Sequence, residues 1–111
     1  MMVDDEELLL TMGQMILSAY GYRVLTASSG EKALEIFANS GAKIDLVITD
    51  LVMPRMSGRE LSEHLRRASS CVRIVCTSGY VRPAQVDDDD AYLQKPFTSQ
   101  DLGRRVKSAL G

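Results

Sequence analysis

The sequence predicts an α/β fold built on a parallel sheet with helices on both faces. Three observations lead there. Strand-like and helix-like segments alternate along the chain. Residues 44–49 are almost continuously apolar, as expected of a parallel strand covered on both sides. Two Ser-x-x-Glu pairs, Ser28/Glu31 and Ser57/Glu60, stand where helices should begin.

The elements follow in order. A short first strand at 1–3 ends at Asp4 and Asp5. Residues 6–20 carry Leu8, Met12, Met15, Ile16 and Ala19 at helical spacing, which predicts a helix with those residues inward and Gly21 as its stop. Residues 22–27 read as the second strand. Ser28 caps the second helix, whose stripe is Ala33, Leu34, Ile36 and Phe37, closed by Asn39-Ser40-Gly41. The third strand, 44–49, ends at Asp50, and a loop with Pro54 follows. Ser57 caps a helix with Leu61, Leu65 and Ala68 inward. Strands at 72–76 and 92–94 come next, the latter ended by Lys95-Pro96. Thr98 opens a last helix with Leu102, Val106, Ala109 and Leu110 on one face. The run Asp87-Asp88-Asp89-Asp90 repels itself and reads as an exposed loop.

Composition narrows the function classes. A chain of 111 residues, 45% apolar and 25% charged, suits one globular domain spanning 1–111. Lys and Arg are scattered and the formal net charge is −2, which argues against nucleic-acid binding. No run approaches the ~18 apolar residues that span a membrane. The start is acidic within four residues, unlike a signal peptide. Cys71 and Cys76 lack metal or redox spacing and read as free, buried or half-buried thiols of a reducing compartment. A cytoplasmic location is expected, either as a free protein or as the cytoplasmic part of a larger sensor kinase.

In an open parallel sheet, chemistry gathers at the carboxyl ends of the strands. That edge should carry Asp4, Asp5, Asp50, Thr77, Ser78 and Lys95. Three carboxylates together repel, and an oxygen-binding divalent cation, Mg²⁺ or Mn²⁺, relieves the repulsion. Such a cation allows a carboxylate oxygen to attack phosphorus, with a lysine and a hydroxyl on the phosphoryl oxygens. Taken singly, each residue has a plainer reading: Asp-Asp-Glu-Glu as helix-dipole charge, and Asp50 or Thr77-Ser78-Gly79 as turns. Their joint placement favours phosphoryl transfer to Asp50.

The motifs Val3-Asp4-Asp5-Glu6, Ile48-Thr49-Asp50-Leu51-Val52-Met53-Pro54, Met56-Ser57-Gly58, Thr77-Ser78-Gly79-Tyr80 and Tyr92-Leu93-Gln94-Lys95-Pro96-Phe97 resemble, in order, the receiver domain of bacterial two-component systems. The likeness is strongest to receivers at the C-terminus of hybrid sensor histidine kinases. It implies a flavodoxin-like (βα)₅ doubly wound sheet with strand order 2-1-3-4-5. It implies Asp50 as phospho-acceptor, and Asp5, Asp50 and the Val52 backbone carbonyl as direct Mg²⁺ ligands, with Asp4 acting through water. Lys95 would hold the phosphoryl group and be followed by a cis peptide bond to Pro96. Thr77 and Tyr92 would be the switch. The partner would be a histidine kinase or its dimerisation and phosphotransfer domain, and a weak homodimer is compatible with the family. Two departures stand out: a shortened first strand, and a fourth helix shortened to about residues 82–86 or absent. The rival readings are a phosphorylation-independent interaction module with the same fold and an aspartate-nucleophile phosphatase. Val52 stands where that phosphatase would need a second Asp. His64 reads as a surface residue beside Glu63 and Arg67; Met53 and Met56 are expected to shape access to Asp50.

Overall fold

The computed structural model describes residues 1–40, 43–79 and 92–111. Five strands form one parallel sheet: β1 (Met2–Val3), β2 (Thr26–Ala27), β3 (Leu46–Asp50), β4 (Arg73–Ser78) and β5 (Tyr92–Gln94), in the order β2-β1-β3-β4-β5. Four helices are described: α1 (Glu7–Ala19), α2 (Gly30–Ser40), α3 (Gly58–Ala68) and α4 (Ser99–Leu110). The segment expected to hold a short helix at 82–86, and the four aspartates after it, lie outside the described residues.

Alternation along each strand divides the core in two. Val3, Val47 and Ile74 pack with Ala33 and Phe37 of α2 and Leu61 and Leu65 of α3. Their neighbours Met2, Leu46, Ile48 and Val75 pack on the other face with Leu10 and Leu17 of α1 and Leu102 and Val106 of α4. All five residues of β3 are buried, which explains the nearly continuous apolar run that marked this strand.

β1 is as short as expected, yet it pairs on both sides: Met2 with Thr26 and Ile48, Val3 with Ala27 and Thr49. β2 is shorter than the expected 22–27 for the same reason. β1 presents only Met2 and Val3, so only Thr26 and Ala27 find ladder partners.

The inward face of α1 corrects the sequence reading. Leu10, Gly13 and Leu17 are buried, whereas Leu8 and Met15 are 73% and 68% exposed and Met12 and Ala19 also face out; Ile16 is half-buried. This helix is apolar nearly all round, so periodicity does not select a face. Gly13 selects it, because a Cβ there would collide with the Met2 sulfur. At Gly13 the helix comes close to β1, and Leu10 and Leu17 pack into the core on either side of that contact.

Smaller corrections follow similar logic. α2 begins at Gly30, and Ser29 rather than Ser28 caps it by accepting from Lys32 N at 3.1 Å. The Ser57/Glu60 capping box forms as expected, and Thr98/Asp101 forms a second one. Ala68 is exposed in the last turn of α3, Met53 is a core residue, and Cys71 is exposed. Cys76 is half-buried, and burial pushes its thiol up in pKa despite the Ser62 hydroxyl and the Arg66 charge.

The α1 face is testable by paired truncations. Leu17→Ala is expected to cost about 2–5 kcal/mol by chemical denaturation. Met15→Ala should stay within about 0.5 kcal/mol. Equal costs would restore the face expected from periodicity.

Candidate functional site

Because every strand runs the same way, their carboxyl ends share one edge. Hydrogen bonds just beyond the strands fix the residues there: Asp4 N donates to Ala27 O (3.1 Å), Leu51 N to Thr77 O (2.9 Å) and Lys95 N to Ser78 O (2.8 Å). Asp50 stands opposite Thr77 in the β3–β4 register.

These anchors bring together groups that lie far apart in sequence. Lys95 Nζ lies 2.8 Å from Asp4 Oδ2 and 3.4 Å from Asp50 Oδ2. Asp4 is 2% and Asp50 7% exposed, so both pairs are formed largely out of water. Asp4 Oδ1 also accepts from Glu6 N at 2.9 Å, which leaves Asp4 held on both oxygens. Asp5 is exposed beside them. One oxygen from each of Asp4, Asp5 and Asp50 lies within 4.8 Å of the others. Three carboxylates against one ammonium leave an excess of negative charge. An all-oxygen donor set with that excess fits a hard divalent cation such as Mg²⁺.

Burial pushes the Asp50 carboxyl above the ordinary carboxylate value; the Asp4 charge adds to the rise and Lys95 opposes it. Burial alone would lower Lys95, but the hydrogen bonds and charges of Asp4 and Asp50 outweigh it and hold the ammonium above its ordinary value. Lys95 therefore stays charged, and Asp50 bears the cost of a crowded, partly desolvated edge.

The remaining expected site residues are less tightly gathered. Val52 is exposed, and its N–H donates to Asp50 Oδ1 at 3.4 Å. Thr77 is buried between Asp50 of β3 and Leu93 of β5. Tyr92 is buried opposite Cys76, and its hydroxyl donates to Gln94 Oε1 at 2.8 Å. The Lys95–Pro96 peptide is cis, as the resemblance implies.

Two contributors were missed from the sequence. Gln94 Nε2 donates to Ser78 O and Lys95 O, both at 3.1 Å, tying the ends of β4 and β5 together around Lys95. Its place beside Lys95 was the available signal. Gly58 opens α3 against the Asp50 backbone, where a Cβ would strike the Asp50 carbonyl oxygen. Its N–H donates to Leu51 O at 3.0 Å, closing the loop after Asp50.

The model of the response regulator receiver domain family matches residues 1–107. The chain belongs to the receiver-domain family. It is 35% identical to sensor kinase CckA of Brucella abortus (strain 2308), over 99% of this chain but 12% of that kinase. It spans less than half of the transcriptional regulators it also matches, among them PhoP of Bacillus subtilis at 34% identity, of which it covers 47%. The receiver domain of hybrid histidine kinase CckA superposes with a TM-score of 0.85 at 32% identity, covering 99% of this chain and 96% of that one. The response regulator TrrA of Thermotoga maritima, solved in complex with Mg²⁺–BeF, gives 0.85 at 31% identity, covering 98% and 96%. This receiver domain is thus a two-component signalling domain and not a conventional enzyme. Receiver domains bind Mg²⁺ and interact with histidine kinases and phosphotransfer partners, and the acidic cluster here suits that role. The phosphorylation-independent alternative is not favoured. Among the described residues no helix is long and apolar enough to cross a membrane.

The raised Asp50 pKa has a definite sign. Below the ordinary carboxylate value Asp50 is protonated folded and unfolded, and nothing is lost. Above the raised value the folded state carries the full penalty, so metal-free stability falls as pH rises between the two. Without metal, Asp50→Asn should melt above the parent near pH ~7. The gap should close toward pH ~3 and narrow when Mg²⁺ is added. A pH-independent gap in thermal unfolding would contradict this.

Proposed function

We propose that Asp50 is the phospho-acceptor of a two-component phosphorelay and that residues 1–111 form one receiver domain. The observation that carries the reading is the Lys95 ammonium bridging Asp4 and Asp50 inside a three-carboxylate cluster. An Asp50 oxygen forms a new bond to phosphorus, the phosphorus–nitrogen bond of a donor phosphohistidine breaks, and the imidazole leaves with the electron pair. The domain supplies this transfer itself.

Asp5, Asp50 and the Val52 carbonyl would hold Mg²⁺ directly, and Asp4 through water. Mn²⁺ has the same oxygen preference and would substitute. When bound, the cation neutralises the charge brought together by carboxylates and phosphoryl oxygens. Lys95, released in part from Asp50, follows the arriving phosphoryl oxygens while Asp4 keeps it aimed. Thr77, beside Asp50, donates its hydroxyl to the same group. Tyr92 reads out the change from the neighbouring strand, so Thr77 and Tyr92 form the switch.

The donor is a histidine kinase or its phosphotransfer domain. The surface beside the site supports this. Leu8, Met12 and Met15 leave one face of α1 apolar and exposed. A cavity of about 390 Å³ between α1 and the Lys95-Pro96-Phe97 turn joins that face to Lys95. An apolar helical partner docked there would bring its histidine toward Asp50. Nucleic acid has no part in this reading, and any homodimer is weak. A cytoplasmic setting, free or within a larger sensor kinase, suits a kinase donor.

Incubation with Mg²⁺ and acetyl phosphate is expected to add one phosphoryl group by intact mass. Asp50→Asn or chelation of the metal should abolish it; an adduct retained in Asp50→Asn would sink the assignment. The donor surface has its own test. Met12→Lys with Met15→Lys should slow transfer from a phosphorylated kinase at least about tenfold, while labelling by acetyl phosphate is unchanged.

A further inference from the structure

The loop after Asp50 is docked onto the start of α2 at two adjacent points. Met56 is half-buried on the α2–α3 side of the core, and its side chain fills the space over Gly30. A Cβ at Gly30 would lie 2.7 Å from Met56 Sδ and 2.9 Å from both Met56 Cβ and Cγ. One residue along, Glu31 Oε2 faces Arg55 Nε at 3.8 Å. That exposed pair contributes little by itself, but it marks the same docking. Arg55 has φ +69°, a left-handed conformation uncommon for a side-chain-bearing residue, and Met56 N donates to Pro54 O at 2.8 Å. The chain is thus turned sharply just where it presents Met56 to Gly30.

We infer that Gly30 is a positioning residue for the Asp50 loop, the socket through which α2 sets where the metal-binding backbone at Val52 lies. The inference rests on the reading of the site as a Mg²⁺ centre. The reason is geometric. The Met56 Sδ could swing aside, but its Cβ is fixed to the backbone. A methyl group at position 30 must therefore move the 54–57 turn. At the loop's other end, Gly58 N is bonded to Leu51 O and its Cα is pressed on Asp50. With that end held, the displacement falls on residues 52–55. Those residues include the Val52 carbonyl and the Val52 N–H that donates to Asp50. Close packing passes such a shift on instead of absorbing it.

Calorimetric titration with Mg²⁺ alone tests this. Gly30→Ala is expected to weaken binding about tenfold, the lower end for groups that orient metal ligands. On a Met56→Gly background, which removes every Met56 atom near the socket, the same Gly30→Ala change should have no further effect. Met56→Ala empties the socket without adding an atom to α2, and should weaken Mg²⁺ binding severalfold even if Gly30→Ala fails to fold. Gly103→Ala serves as control: its Cβ would meet only the tip of the exposed Tyr20 ring, at 2.7 Å and away from the site, so Mg²⁺ affinity holds. Unchanged affinity in Gly30→Ala or Met56→Ala, or the same loss in both Met56 backgrounds, would overturn the inference. A parent protein that binds no Mg²⁺ would overturn the proposed function instead.

Discussion

The Lys95 ammonium, held between Asp4 and Asp50, is the interaction on which the site depends. Without it, two carboxylates nine-tenths or more buried would face each other and an exposed third with no compensating charge. Lys95 offsets part of that repulsion and leaves the rest, which suits a cation-binding edge better than full neutralisation would. Its placement is backbone work. Lys95 N bonds to Ser78 O, and Gln94 clamps the ends of β4 and β5 on either side of it. The charge at the site is therefore as well positioned as the sheet.

The sheet is positioned by its two covers. Alternate residues along each strand enter different cores, so a one-residue slip of register would exchange them. β3 is buried along its whole length, and Asp50 inherits that order as its last residue. The helices then divide the labour. α3 closes against the Asp50 backbone through Gly58, α2 receives Met56 over Gly30, and α1 approaches β1 through Gly13. In each case a missing side chain lets two elements come close together. The outer face of α1 is left apolar, and its Met12 borders the cavity that reaches Lys95.

Much of this was legible in the sequence where one local rule dominated. The run 44–49 announced a covered strand, Ser57 with Glu60 announced a helix start, and Leu102 and Val106 announced an inward face. The acidic pair, Asp50 and Lys95 could be placed on one edge because parallel strands leave no other arrangement for their ends. Legibility failed where local signals were degenerate. α1 is apolar on nearly every side, so helical spacing picked out Leu8, Met12 and Met15 as inward and passed over Leu10 and Leu17. Ser28 and Ser29 are equally good caps, and the choice fell to where α2 packs. β2 looked like a six-residue strand until its partner proved two residues long.

By itself, then, the sequence determined the class of fold, the order of its motifs and the inventory of groups at the working edge. These follow from periodicity and from the rule that chemistry collects at strand ends, both properties of short stretches of chain. Only the tertiary structure decided which face of α1 is buried, that Asp4 and not Asp5 is held by Lys95, and that Gly30 and Gly58 grip the loop around Asp50. Those are contacts between different elements, up to the 91 positions that separate Asp4 from Lys95. Sub-ångström clearances decide them, and no local pattern in a sequence encodes such clearances.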